Sequence, residues 1–187
     1  MKQAFSNNIN QQARKIMKQQ TTSSAVTSSI IKANKADVWQ KVGFYEHVKK
    51  PASWLLKLSL PVPQEVEGKY AAVGDTCRCK YSDGGYLTKR ITNIVDQSRI
   101  EFEIIEQSIR YKDTIKLLGG YIEVEQLDGE QSIVRMLTYY DNRIAPRLIS
   151  SYFIEKVIKT MHEFVIADMQ LQLENATQDS RSAYAKG

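Results

Sequence analysis

Long apolar runs, clustered metal ligands and acidic balance at the N-terminus are all missing from this 187-residue chain. No stretch of about 18 apolar residues occurs, which excludes a helical membrane span. Two histidines and two cysteines are too few and too scattered for a zinc site, which takes three or four protein ligands. The first twenty residues carry Lys2, Arg14, Lys15 and Lys18 and no acid, and so account for four of the five net positive charges. The rest of the chain is almost neutral, which argues against nucleic acid as a partner, because a phosphate-binding face needs clustered cations on the folded body. The N-terminus also lacks the apolar stretch of a secretory signal, and with few cysteines the expected compartment is the reducing cytoplasm.

What remains fits one globular domain. Hydrophobic residues make up 42% and charged residues 25%, ordinary values for a folded domain that needs neither disulfide nor metal. Residues 1–21 form a polar basic arm. It reads as a disordered or frayed segment, or as a basic amphipathic helix able to touch an anionic membrane or a partner, with Phe5, Ile9, Ala13, Ile16 and Met17 at helical spacing. A single domain is expected over 22–175 and a loose tail over 176–187.

Inside those limits the turn signals set the elements. TTSSAVTSSIIKA is β-branched and predicts a first strand; Asn34, with Asp37 three residues on, caps the helix ADVWQKV. Pro51, Pro61 and Pro63 break a linking region that holds the apolar run from Trp54 to Leu60. A strand meander follows. SDGG joins DTCRCKY to YLTKRITNIV as a hairpin, SRIEFEII alternates in the manner of a half-buried strand, and Gly119-Gly120 predicts a bulge in TIKLLGGYIEVEQL. From Pro146 a helix of about 25 to 30 residues is expected, with Ile149, Phe153, Val157, Met161 and Phe164 as its apolar stripe. His162 falls beside Glu155 and Lys159 and is expected to face solvent.

This order resembles the helix-grip fold of the START-like superfamily, the SRPBCC group that includes polyketide cyclases and the birch-pollen allergen. The resemblance is carried by SSIIKANKADVWQKV and Trp54, by AAVGDTCRCKY, by GGYIEVEQLDGEQSIVRMLTYYD, and by RLISSYFIEKVIKTMHEFV as the closing helix. It is nearest to the bacterial polyketide cyclase and lipid transport-like branch. It implies an α+β domain in which about seven antiparallel strands bend around a long C-terminal helix, in the order β-α-α-β6-α. It also implies a cavity between sheet and helix for apolar or amphipathic molecules, and transfers no catalytic residue.

The cysteines fit that picture as wall residues. Alternate strand positions share a face, so Cys77 and Cys79 point together at about 6.5–7 Å between Cα atoms, at or beyond disulfide reach. Tyr81 continues their parity, while Arg78 and Lys80 point the other way. The candidate ligand-binding residues are therefore Trp54, Cys79, Tyr81, Phe102, Ile104, Met136, Tyr140, Phe153 and Val157, with no metal and no cofactor. Val134, Met136, Thr138 and Tyr140 share one face, taken as the inner one. Three functions stay open: binding or transport of a hydrophobic or amphipathic small molecule, a cyclase or dehydratase using the same cavity, and a protein- or membrane-interaction module with a vestigial cavity. The second requires an ionisable group inside, and none is evident from the pattern.

Overall fold

The computed structural model describes residues 22–42, 63–110 and 112–184. The N-terminal arm, Trp54 with its apolar run, and the second short helix expected near it all lie outside these residues. Strand β1 (Thr22–Ile31) leads into helix α1 (Lys35–Val42); strands β2 (Pro63–Gly68), β3 (Thr76–Tyr81), β4 (Tyr86–Val95), β5 (Arg99–Ser108), β6 (Ile115–Gln126) and β7 (Ser132–Asn142) follow, and helix α2 (Arg147–Tyr184) closes the chain. The seven strands form one antiparallel sheet in the order β1-β7-β6-β5-β4-β3-β2.

Local chemistry explains the boundaries. The Asp37 backbone N–H donates to Asn34 Oδ1 at 3.0 Å, and Asn34 Nδ2 donates to Asp37 Oδ2 at 2.7 Å, a reciprocal cap that starts α1. Strand β2 was not legible among the prolines. It is an edge strand that opens on Pro63, the position where a missing N–H does least harm to the ladder. The sheet bends where β6 slips register between Leu117 and Gly119. Gly119 has φ +148°, and a Cβ there would run into the Phe102 carbonyl, so only glycine allows the strands to close up at the bend.

Helix α2 is longer than the sequence pattern suggests and continues to Tyr184. The segment after residue 170 has no glycine or proline to stop a helix before Gly187. Its buried face matches the expected stripe only in part. Phe164 is buried and Met161 packs against the core as expected, and Ile154, His162, Val165, Ile166, Met169 and Leu173 are buried too, whereas Ile149 and Phe153 are 59% and 61% exposed. The apolar template missed the first turns because the inward face includes two polar residues, His162 and Asp168, and leaves large apolar side chains outside.

Two clusters hold the helix to the sheet. The larger joins α1, the far end of β6 and β7, and the C-terminal half of α2, through Val38, Ile122, Val134, Met136, Ile166 and Met169. The smaller joins Ala25, Tyr140 and Ile154 near the start of α2. Both lie on the β1–β7–β6 side. The helix packs mainly on β1, β7 and α1.

Candidate functional site

Strand parity decides what the inner face of β3, β4 and β5 presents. On β3, Cys77 and Cys79 are both buried free thiols, while Arg78 pairs outward with Glu106 at 2.9 Å and Lys80 with Glu67. On β5, Phe102 and Ile104 face inward and are only half-buried, as is Tyr81 at the end of β3.

Strand β4 adds the residue that matters most. Its buried positions run Leu87, Lys89, Ile91, so Lys89 occupies an apolar position. It is 7% exposed and is the only buried lysine or arginine among the described residues. Lys89 pairs with Cys77 on one side and Ile104 on the other, and its Nζ stands 4.8 Å from the centre of the Phe102 ring. Burial away from water disfavours the ammonium and brings the pKa down from 10.5 to about 7. The other cations of this sheet region lie outside in ion pairs, Arg90 with Glu103 at 2.6 Å and Arg99 with Glu101 at 2.9 Å. The sequence carried a signal for Lys89, since it interrupts an alternating apolar strand at an inward position, but a strand pattern with one charge reads most readily as noise.

His162, expected from its neighbours Glu155 and Lys159 to face solvent, does not. It is buried at mid-helix, with Nε2 2.9 Å from Thr138 Oγ1 and Nδ1 3.2 Å from Thr27 Oγ1. A neutral ring satisfies both hydroxyls, one donating to the bare nitrogen and the other accepting from the ring N–H. Burial, and then the positive charge of Lys89, lower its pKa from 6.5 to about 4. Tyr140 completes the polar set. Its hydroxyl donates to the Ser151 carbonyl at 3.3 Å, and burial followed by the charge of Glu155 raises its pKa.

The expected site residues divide accordingly. Cys79, Tyr81, Phe102 and Ile104 share the inner face with Lys89. Met136 and Tyr140 are also inward, but pack in the larger and smaller clusters beneath α2. Val157 is half-buried on α2, Phe153 is turned outward beside Tyr152, and Trp54 lies outside the described residues. Glu101, Glu103 and Glu123 engage arginines on the outer face, as their parity implies. Among the described residues, no group of three or more histidines, cysteines or acids converges on a metal position.

No protein-family model matches the chain, and no curated protein sequence does either. Solved structures do match. A Thalictrum flavum norcoclaurine synthase with a transition-state analogue aligns with TM-score 0.57 at 15% identity over 83% of this chain and 96% of that one. The Zhui aromatase/cyclase from Streptomyces sp. R1128 aligns with TM-score 0.60 at 12% identity over 83% and 96%. A START superfamily protein from Mycobacterium smegmatis aligns with TM-score 0.58 at 9% identity over 82% and 98%. The chain has the START-like helix-grip fold, with the seven-stranded sheet and long C-terminal helix implied by the sequence resemblance.

Proposed function

We propose that the protein binds a hydrophobic or amphipathic small molecule in the cleft between the inner faces of β3–β5 and helix α2. The observation that carries this reading is the pair Phe102 and Ile104, apolar side chains left only partly buried on the inner face of β5. Burying such a surface against an apolar ligand contributes about 25 cal/mol per Å² before the loss of ligand freedom is counted. Similar folds support it: norcoclaurine synthase has been solved with dopamine and hydroxybenzaldehyde, both compact aromatic molecules with polar ends. Buried, unbridged Cys77 and Cys79 favour a reducing compartment such as the cytoplasm. No helix among the described residues is long and apolar enough to cross a membrane.

The test is titration with the uncharged fluorophore N-phenyl-1-naphthylamine. Saturable binding near one per chain, with a blue-shifted emission, is expected. Ile104→Asp should weaken it on the order of tenfold or more by putting an unpaired charge on the cleft wall. Absence of saturable binding at any accessible concentration counts against the cleft.

Catalysis of the cyclase or dehydratase type in the same cleft is the second reading, and Lys89 favours it. An amine whose pKa lies near 7 can both give and accept a proton at neutral pH. This reading expects turnover of a carbonyl compound that Lys89→Met abolishes while N-phenyl-1-naphthylamine still binds.

A further inference from the structure

The first turns of α2 present large apolar side chains to water. Leu148 is 90% exposed and Tyr152 64%, and Ile149 and Phe153 are exposed to a similar degree. Their spacing places all four on one side of the helix, and the Tyr152 and Phe153 rings meet edge to face with centroids 5.8 Å apart. Ile144, in the connection before the helix, is exposed as well. Single exposed apolar residues need no explanation, but a contiguous group on one element marks a surface that meets a partner.

Polar contacts on the opposite side fix the direction of this face. The buried Asn142 donates from Nδ2 to Ser150 Oγ at 2.7 Å and to Ser151 Oγ at 3.0 Å, and Ser150 Oγ donates to the Ile144 carbonyl at 2.8 Å. Ile154 is packed with Ala25 and Tyr140. The helix cannot roll to bury Tyr152 and Phe153 without breaking these contacts.

The charge around the face is mostly of one sign. Arg143, Arg147 and Lys156 are exposed, and residues 143–154 contain no acid. Glu155, the next residue, pairs with Lys159 at 2.7 Å. The β5–β6 connection is held alongside, the Arg143 N–H donating to the Thr114 carbonyl at 3.0 Å, and it adds exposed Arg110 and Lys112 against one acid, Asp113. Arg147 in the first turn opposes the helix dipole, which favours acids there, so helix stability does not account for it. The basic arm joins the fold at this same end. Thr22, which follows it, pairs with Asp141, two residues before Arg143.

We propose that the α2 face from Leu148 to Phe153, with the cations that flank it, docks on an anionic lipid surface. The apolar side chains enter the interfacial layer, where aromatic rings are favoured, and the arginines and lysines meet the headgroups. The face and the arm act as two signals, because a few apolar side chains or a few cations alone give only marginal attachment. A second copy of the chain fits this face less well, since two-fold pairing would bring Arg143 and Arg147 of both copies together. The docking face uses none of the cleft residues of β3 to β5 and stands independently of the cleft reading.

The experiment sediments the full chain with vesicles of phosphatidylcholine alone, or of phosphatidylcholine with phosphatidylserine. Binding is expected to the anionic vesicles, weakening as salt is raised, with little to the neutral ones. Leu148→Ser combined with Phe153→Ser should lower partitioning on the order of tenfold or more. Arg143→Gln combined with Arg147→Gln should lower it about fivefold for each charge removed. Urea midpoints of both double variants should match the wild type, because all four positions are exposed. Leu148→Trp should bind at least as tightly as the wild type, and brominated lipid should quench its added fluorescence, which places the helix and not only the arm against the bilayer. No binding to anionic vesicles at low salt overturns the proposal, and so does equal binding to neutral ones. Wild-type affinity in both double variants, with no quenching in Leu148→Trp, also overturns it and leaves the arm as the sole contact. A lipid-free dimer that Leu148→Ser with Phe153→Ser dissociates, without vesicle binding, gives the face to a second copy instead.

Discussion

Lys89 sits between Leu87 and Ile91 on the sheet's inner face, where burial disfavours its ammonium form. This has a stability consequence of definite sign. The folded-state pKa of Lys89 is depressed to about 7 from 10.5. Between these values the unfolded chain binds the extra proton, so Lys89 makes stability rise with pH across this window, by up to about 1.4 kcal/mol per unit. Below pH 7 the folded protein carries the buried ammonium, and the destabilisation is complete. Lys89→Met is therefore expected to be more stable than the wild type by several kcal/mol at pH 6.5, with the difference shrinking towards pH 10. Urea midpoints at pH 6.5, 8 and 9.5 check this; parallel profiles for the two proteins would mean that the amine is solvated. His162 acts in the acid range. Its folded pKa of about 4 lies below 6.5, so the unfolded state takes up the proton first and stability falls as pH drops from about 6.5 towards 4. His162→Gln keeps hydrogen-bonding groups for Thr27 and Thr138 without this titration. Its acid limb should be shallower than the wild type by up to about 1.4 kcal/mol per pH unit, read from urea midpoints at pH 4, 5 and 6.

At the scale of elements, the rotation of α2 decides which side chains hold the helix and which remain outside. Ile154 is 6% exposed against Ala25 and Tyr140, while its neighbour Phe153 is 61% exposed. A stripe read from apolar spacing assigns these roles the other way round, and mutation separates the alternatives cleanly. Ile154→Ala is expected to destabilise by about 2 to 4 kcal/mol through lost burial and the cavity left behind. Phe153→Ala should stay within about 0.5 kcal/mol, as exposed positions do. Chemical denaturation of the two variants reads out the difference, and a larger loss at Phe153 would restore the stripe drawn from the sequence. The bend in β6 belongs to the same scale. A Cβ at Gly120 would run into the Leu137 carbonyl, so the approach of β7 needs this glycine just as the approach of β5 needs Gly119.

At the scale of the whole molecule, the fold was largely legible in the sequence. Turn signals such as SDGG and the Asp128-Gly129 pair, strict alternation in β5, and a bulge at paired glycines are local and survive folding unchanged. The chemistry of the cleft was much less legible. Lys89 and His162 are informative only through the neighbours that three-dimensional packing gives them, and β2 was hidden because edge strands tolerate the prolines that usually argue against a strand. The parity of CRCKY, by contrast, carried straight through to buried thiols and an outward Arg78. Charge is distributed on this scale too. The outer sheet face is a set of closed ion pairs, and four of the five net positive charges sit in residues 1–21, ahead of β1. If the domain is complete in the elements from Thr22 onward, as we propose, removing residues 1–21 should leave the melting temperature unchanged within about 2 °C. Fluorophore affinity should likewise be unaffected, because the proposed cleft is built from β3 to β5 and α2. The same deletion should abolish any binding to phosphatidylserine vesicles that the full chain shows at low salt, since each lysine or arginine near such a surface contributes about 1 kcal/mol. Thermal unfolding, fluorophore titration and vesicle sedimentation on the two chains test these expectations separately. A large drop in melting temperature would show that the arm is part of the domain rather than an appendage carrying its charge.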